Sequence, residues 1–381
     1  MKILILTDGI YPFVIGGMQK HSYYLAKFLV EKGQQVTLVH CVAHGEKLPL
    51  REDVLKAMGL DNTNIIETIA VSFPKAGMLP GHYLKESYIY SKIVYEKLKS
   101  RLEEFDFIYA KGFSAWHLLH EKQKNKSIPP VGIKFHGYEM YQKPPSFKAR
   151  LQNILLRGPV KWNNLHADYV FSYGYKITEI IQSLGVVNDR IIEIPTGIEQ
   201  SWLGNKIPTA DKLNFLFIGR YERRKGVEEL NLALQSLLPN ELFHFHFIGP
   251  IPPSGRILSD KITYHGAVME SERIKEITDS CQVLVTPSHS EGMPNVIMEG
   301  MARGLAILTT RVGAVEAVVD ESNGWLVAPG DSIELANNLR AIIHSDRNLI
   351  KQKQENSRKK ITSFLWENIA DSTINHIANK H

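Results

Sequence analysis

A chain of 381 residues is long enough for two domains that each bury a core. Its composition, 44% hydrophobic and 22% charged, excludes a disordered or fibrous protein. No apolar run approaches the roughly 18 residues of a membrane-spanning helix. The opening Met1–Asp8 is apolar for too short a stretch to read as a secretory leader, so it is expected to be a buried strand. Cys41 and Cys281 match no metal or redox spacing; buried packing in a reducing, cytoplasmic compartment is expected of both. The net charge of +5 is uneven: residues 1–199 carry 25 Lys and Arg against 19 Asp and Glu, the remainder 20 against 21.

In chain order, strands rich in Val, Ile and Phe are expected at Lys2–Leu6, Gln35–Cys41, Ile65–Ala70, Phe107–Ala110, Val131–Phe135, Tyr169–Ser172 and Ile191–Ile194. Helical periodicity lies between them, at Met18–Glu31 and Lys85–Leu102 among others. A break follows at Pro195-Thr196-Gly197, with Gly204 and Pro208 in the stretch that leads to Lys212. A second series then begins, with strands at Asn214–Ile218, Phe243–Ile248, Ile262–Tyr264, Gln282–Val285 and Ala306–Thr309. Its helices include Val227–Leu238, Ser271–Asp279 and Pro294–Ala302. Such alternation predicts parallel sheets with crossover helices, hence two Rossmann-like α/β domains. The boundaries read as 1–205, 206–360 and a closing segment 361–381.

Ligands of open parallel sheets bind beyond the carboxyl ends of strands. After the first strand come Gly16 and Gly17 at a helix start, where bare backbone can approach a phosphate; a plain turn uses the same residues. Val131–Phe135 runs into His136-Gly137, a ligand-facing histidine or a structural one. In the second half, Gly219-Arg220 and Lys225-Gly226 bracket a basic loop that ends on a helix. Two cations beside a helix N-terminus suit a diphosphate, while a solvated basic loop looks the same in sequence. Glu291 precedes the helix that Pro294 is expected to open, and Glu299 lies about 7.5 Å further along it. A ligand that meets both acids is elongated and carries hydroxyls at its two ends, as a nucleotide sugar does. Otherwise Glu291 is a helix N-terminal acid and Glu299 a surface position.

The order of these features, through Pro195-Thr196-Gly197-Ile198-Glu199 and the Glu291-x7-Glu299 spacing to Gly304–Thr310, Gly313, Glu316 and Gly324–Val327, resembles glycosyltransferase family 4 over nearly the whole chain. Thr196 and Glu199 depart from the family's usual asparagine and aspartate. The resemblance implies a retaining enzyme of the GT-B fold, with two Rossmann-like domains facing each other across a cleft. It implies that Arg220 and Lys225 neutralise the donor diphosphate, and that Gly17, with Gly16, approaches it from the other domain. Glu299 would hold the ribose and Glu291 the sugar, with Gly219, Met293, Pro294 and Asn295 lining the donor and His136 touching its sugar. The final helix, here Phe364–Ala378, would pack back on the first domain.

Retention can arise through a covalent glycosyl-enzyme or by front-face attack within an ion pair; the second is expected, since no acid in these motifs stands out as a nucleophile. The chain contains no Asp-x-Asp, and Arg220 with Lys225 fills the charge role of a metal, so neither a metal nor a cofactor is expected. The resemblance implies a UDP- or GDP-sugar donor and a glycan or lipid-linked acceptor of the cell envelope; no nucleic-acid partner is expected. A nucleotide-sugar 2-epimerase, or a protein that binds nucleotide sugars without catalysis, has the same scaffold. Residues 141–161 hold Lys143, Lys148, Arg150, Arg157 and Lys161 without an acid, and Leu151, Ile154, Leu155 and Trp162 at helical spacing. That pattern fits a helix on an anionic membrane surface, and equally a helix packed on its own domain.

Overall fold

The computed structural model describes residues 1–60, 66–77, 81–204, 207 and 212–379. Seven strands, β1 (Lys2–Leu6), β2 (Gln35–Val42), β3 (Ile66–Ser72), β4 (Phe107–Lys111), β5 (Val131–Lys134), β6 (Tyr169–Ser172) and β7 (Ile191–Glu193), form one sheet. Six more, β8 (Leu213–Ile218), β9 (Phe243–Ile248), β10 (Ile262–Tyr264), β11 (Val283–Thr286), β12 (Ala306–Thr310) and β13 (Gly324–Val327), form another. The helices are α1 (Gly17–Glu31), α2 (Arg51–Met58), α3 (His82–Leu98), α4 (Trp116–Lys124), α5 (Phe147–His166) and α6 (Lys176–Ser183), then α7 (Val227–Leu237), α8 (Ser271–Asp279), α9 (Asn295–Ala302), α10 (Ser332–Ile343), α11 (Arg347–Ile361) and α12 (Trp366–Ala378).

Every paired strand runs parallel. The orders are β3-β2-β1-β4-β5-β6-β7 and β10-β9-β8-β11-β12-β13, so each sheet reverses direction once, between β1 and β4 and between β8 and β11. Those reversals are the switch points at which a doubly wound sheet opens a crevice beyond its strand ends. Two compact units result. The first comprises Met1–His136, Ile154–Thr196 and the segment from Trp366; the second comprises Gly137–Asn153 and Gly197–Leu365. The boundary read at 205 and 206 falls outside the described residues, as does Ile65, the first residue of the expected third strand.

Burial explains the strand sequences. In β9, Phe243, Phe245 and Phe247 point into a core with Phe215, Phe217, Leu230 and Leu234, while His244 and His246 take the other face. In the first unit, α12 lies on α1: Trp366 is 1% exposed and stacks on Phe28 with ring centroids 6.2 Å apart. Lys32 of the loop after α1 donates to Asp371 at 2.6 Å. The proline expected at the first helical position of α9 is its cap residue instead: Pro294 has ψ 119°, and the helix begins at Asn295.

Two glycines bring the second unit's loops together. Gly226, with φ 69°, caps α7, and a Cβ there would strike the Pro287 carbonyl. Gly313, with φ 55°, passes so close to the Glu291 and Gly292 carbonyls that any side chain would collide with them. Gly226→Ala is expected to cost more than about 1 kcal/mol, since strain at φ > 0 and a backbone collision add. Gly59→Ala, with φ 63° and open space around it, carries only the first of these costs. Thermal unfolding of the two variants should show the larger drop for Gly226→Ala; equal drops would count against the close approach.

Candidate functional site

Because β8 and β11 are neighbours at the second unit's switch point, the loops that leave them meet. The His289 amide donates to the Arg224 carbonyl at 2.7 Å and joins the loops. A 3-10 turn at Arg223–Lys225 then aims Lys225 across the junction. Its Nζ lies 2.5 Å from Glu291 Oε1, which also accepts from Ser288 Oγ at 2.8 Å. Arg224 Nη1 stands 3.6 Å from the other carboxylate oxygen. Burial alone would raise the Glu291 pKa, but Lys225 and Arg224 outweigh it and hold the carboxyl below its ordinary value.

Of the other expected residues in this unit, Glu299 is 9% exposed, five residues into α9. Met293 and Pro294 are buried at its entry, Asn295 is half-buried, and Gly219 donates its amide to the Ile248 carbonyl at 2.9 Å. Arg220 joins the cluster through Glu222. Its guanidinium pairs with one carboxylate oxygen of Glu222 at 2.9 Å, and the other oxygen pairs with Arg224 Nε at 3.0 Å; the Arg220 side chain is 69% exposed. Arg224, which the sequence did not single out, is the second cation at Glu291. Arg223 instead props the loop: it donates to Glu229 at 2.8 Å and stands 2.8 Å from His289 Nε2.

Three further residues were missed. Gln142 Nε2 donates to the Gly137 carbonyl at 2.5 Å and to the Glu291 carbonyl at 2.7 Å, which anchors Gly137–Asn153 to the acid loop. Tyr138, fully buried at φ 49°, turns the chain sharply before Glu139. Burial raises the Glu139 pKa; nearby Arg224 and Lys225 oppose the rise, and Glu291 adds to it. Glu139 is the one acid in a long basic stretch, and that contrast was the available signal.

In the first unit, Gly16 is the extended cap residue of α1 and Gly17 its first residue. His136 Nδ1 lies 2.9 Å from the Tyr173 hydroxyl. Two buried lysines end neighbouring strands: Lys111 Nζ donates to the Met18 carbonyl at 3.4 Å, and Lys134 Nζ to the Ile194 carbonyl at 2.9 Å. Burial lowers the Lys111 pKa to about 7, with Asp8 opposing, and pushes Lys134 well below its ordinary value. Burial likewise raises the Asp8 pKa to about 6, with Lys111 opposing. Both cysteines are free and buried. Among the described residues, no helix is long and apolar enough to cross a membrane, and no cluster of three or more His, Cys, Asp or Glu could hold a metal ion.

The second unit therefore offers two cations, an ionised acid and a helix entry, a set that can bind an anion and accept bonds from hydroxyls. The sequence matches the family described as Glycosyltransferase Family 4 over residues 15–202 and that described as Glycosyl transferases group 1 over residues 212–345. An uncharacterized glycosyltransferase of Methanocaldococcus jannaschii is 23% identical, covering 98% of this chain and 97% of its own. Among solved structures, the lipopolysaccharide outer core galactosyltransferase WaaB superposes with a TM-score of 0.74 at 15% identity over all of both chains. Anabaena HepE in complex with UDP-glucose superposes at 0.69 and 16%, also over all of both chains. With its two parallel-sheet α/β domains of the GT-B class, this chain belongs to glycosyltransferase family 4 and is a glycosyltransferase.

Proposed function

We propose that the enzyme transfers a sugar from a UDP- or GDP-sugar, with retention of configuration, to a glycan or lipid-linked acceptor of the cell envelope. The observation that carries this reading is the convergence of Lys225 and Arg224 on Glu291. A diphosphate competes for both cations, and its arrival frees the Glu291 carboxylate to accept sugar hydroxyls. Glu299, further along α9, suits the ribose at the other end of the donor. Charge that grows on the departing diphosphate is met by fixed cations, which lowers the barrier without reorganisation. Nucleotide-sugar binding by HepE and the acceptor class named for WaaB support the donor and acceptor assignments. The shares of Gly16, Gly17 and His136 in donor binding, and that of Arg220, rest on the family resemblance.

A thermal-shift screen of UDP-, GDP- and ADP-sugars tests the donor class. Stabilisation by one nucleotide-sugar series is expected, about 2.7 kcal/mol at a hundred times the Kd; no shift with any of them would remove the proposal. Because cations supply the charge, activity is expected to stay within about twofold in excess EDTA, whereas a metal-dependent transfer would stop. Donor turnover without an acceptor product would favour the epimerase reading. Peripheral contact with the membrane's inner face belongs to the same proposal.

A further inference from the structure

Lys225 and Arg224 take their direction from the 3-10 turn that Arg223 opens, and Arg223 is held from two sides. On α7, Glu229 accepts from both ends of its guanidinium, Oε2 from Nη1 at 2.8 Å and Oε1 from Nη2 at 2.5 Å. In the loop after β11, His289 Nε2 stands 2.8 Å from the same Nη1 and 3.1 Å from Glu229 Oε1. A guanidinium has donors only, so its approach calls for a lone pair on Nε2, which the neutral imidazole with its hydrogen on Nδ1 supplies. That Nδ1 is buried and has no hydrogen-bond partner among the described residues. His289 is 4% exposed and so closely backed that a Cβ on Gly330 would lie 3.1 Å from its Cε1. An unsatisfied buried N–H costs stability that an apolar side chain of similar size would not. Stability alone therefore does not explain a histidine at this position.

We propose that His289 is a positioning residue of the donor site: with Glu229 it clamps Arg223, and so sets the turn that presents Arg224 and Lys225 to the departing diphosphate. Its backbone and side chain act together, because the His289 amide also fastens the Arg224 carbonyl at 2.7 Å. Two consecutive residues of the turn are thereby tied to a loop that reaches, two positions on, the carboxylate that Lys225 faces. Without the imidazole, Glu229 still neutralises Arg223, but the guanidinium is free to pivot about the carboxylate and the turn moves with it. A shift of about 1 Å at Lys225 is enough to matter, since misplacement on that scale costs about 10²-fold in rate. This role presupposes the donor reading proposed above, so the two are tested together.

The test is steady-state kinetics of the full chain with the donor selected by the thermal-shift screen, with thermal midpoints measured alongside. His289→Leu keeps the volume and removes the acceptor. Its kcat is expected to fall about tenfold to hundredfold, more than KM changes, while its midpoint stays at or above that of wild type. His289→Gln returns an acceptor near the Nε2 position and should recover most of that rate. Added to R224A/K225A, His289→Leu should lower kcat by less than about twofold further, because its effect passes through those two cations. A wild-type kcat in His289→Leu, a loss that His289→Gln does not recover, or a loss that adds in full to R224A/K225A overturns the clamp while the donor reading stands. A wild-type kcat in R224A/K225A itself overturns both. Should His289→Leu not fold, Glu229→Gln loosens the same clamp from α7, and the same loss and the same lack of additivity are expected of it; a wild-type kcat there overturns the proposal.

Discussion

Lys225→Ala is expected to lower kcat by about 10²–10³, the loss seen when one preorganised donor to a developing anion is removed. Lys225 is 16% exposed and held by Glu291, so its charge sits where water screens it weakly. In the proposed reaction that charge matters most as the diphosphate leaves, and the defect should fall on kcat more than on KM. Lys225→Arg keeps the charge but replaces a compact ammonium by a planar fork, and should recover only part of the rate. Turnover of the donor chosen by the thermal-shift screen, measured well below the unfolding transition, checks both variants. A wild-type kcat in folded Lys225→Ala would remove Lys225 from the leaving-group role.

The strand ends were legible because strand periodicity and the residues after each strand are local facts. Lys225 and Glu291 were expected on one donor through the family resemblance, at its diphosphate and its sugar; their direct contact follows from β8 and β11 being neighbours, which no local pattern states. Which arginine would join them was not legible. Residues 220–225 carry four cations, and the 3-10 turn at Arg223–Lys225 decides which of them face Glu291. Arg220 lies before that turn and finds Glu222. Gln142 and Glu291 are 149 positions apart, and neither has a spacing that signals the other. The apolar spacing within α5 settled nothing for the opposite reason: its helical period is a clear signal, but period alone does not say whether a face meets protein, lipid or water. Strand β13 and helices α10 and α11 were read only through the family resemblance or not at all. Among them α11 is so polar that its buried positions include Lys353, Gln354 and Ser357.

Glu291→Gln should lower the thermal midpoint by roughly 6–20 °C, from about 3–5 kcal/mol for a buried pair that loses one partner and about 2–4 °C per kcal/mol. The amide still reaches Ser288 and Lys225, but it no longer neutralises Lys225 and Arg224. The pH dependence has a definite sign. The Glu291 carboxyl is held below its ordinary value in the folded chain, so its contribution is present above the unfolded pKa of 4.5 and is lost as pH falls through the folded value. The gap between wild type and Glu291→Gln should therefore be full at pH 7 and close below about pH 4.5. Inorganic pyrophosphate, which supplies the missing negative charge, should stabilise Glu291→Gln by at least as many degrees as it stabilises the wild type. A variant that pyrophosphate leaves unmoved, while wild type responds, would mean that Glu291 itself builds the anion site. Then the carboxylate would not be a counter-ion that the diphosphate displaces.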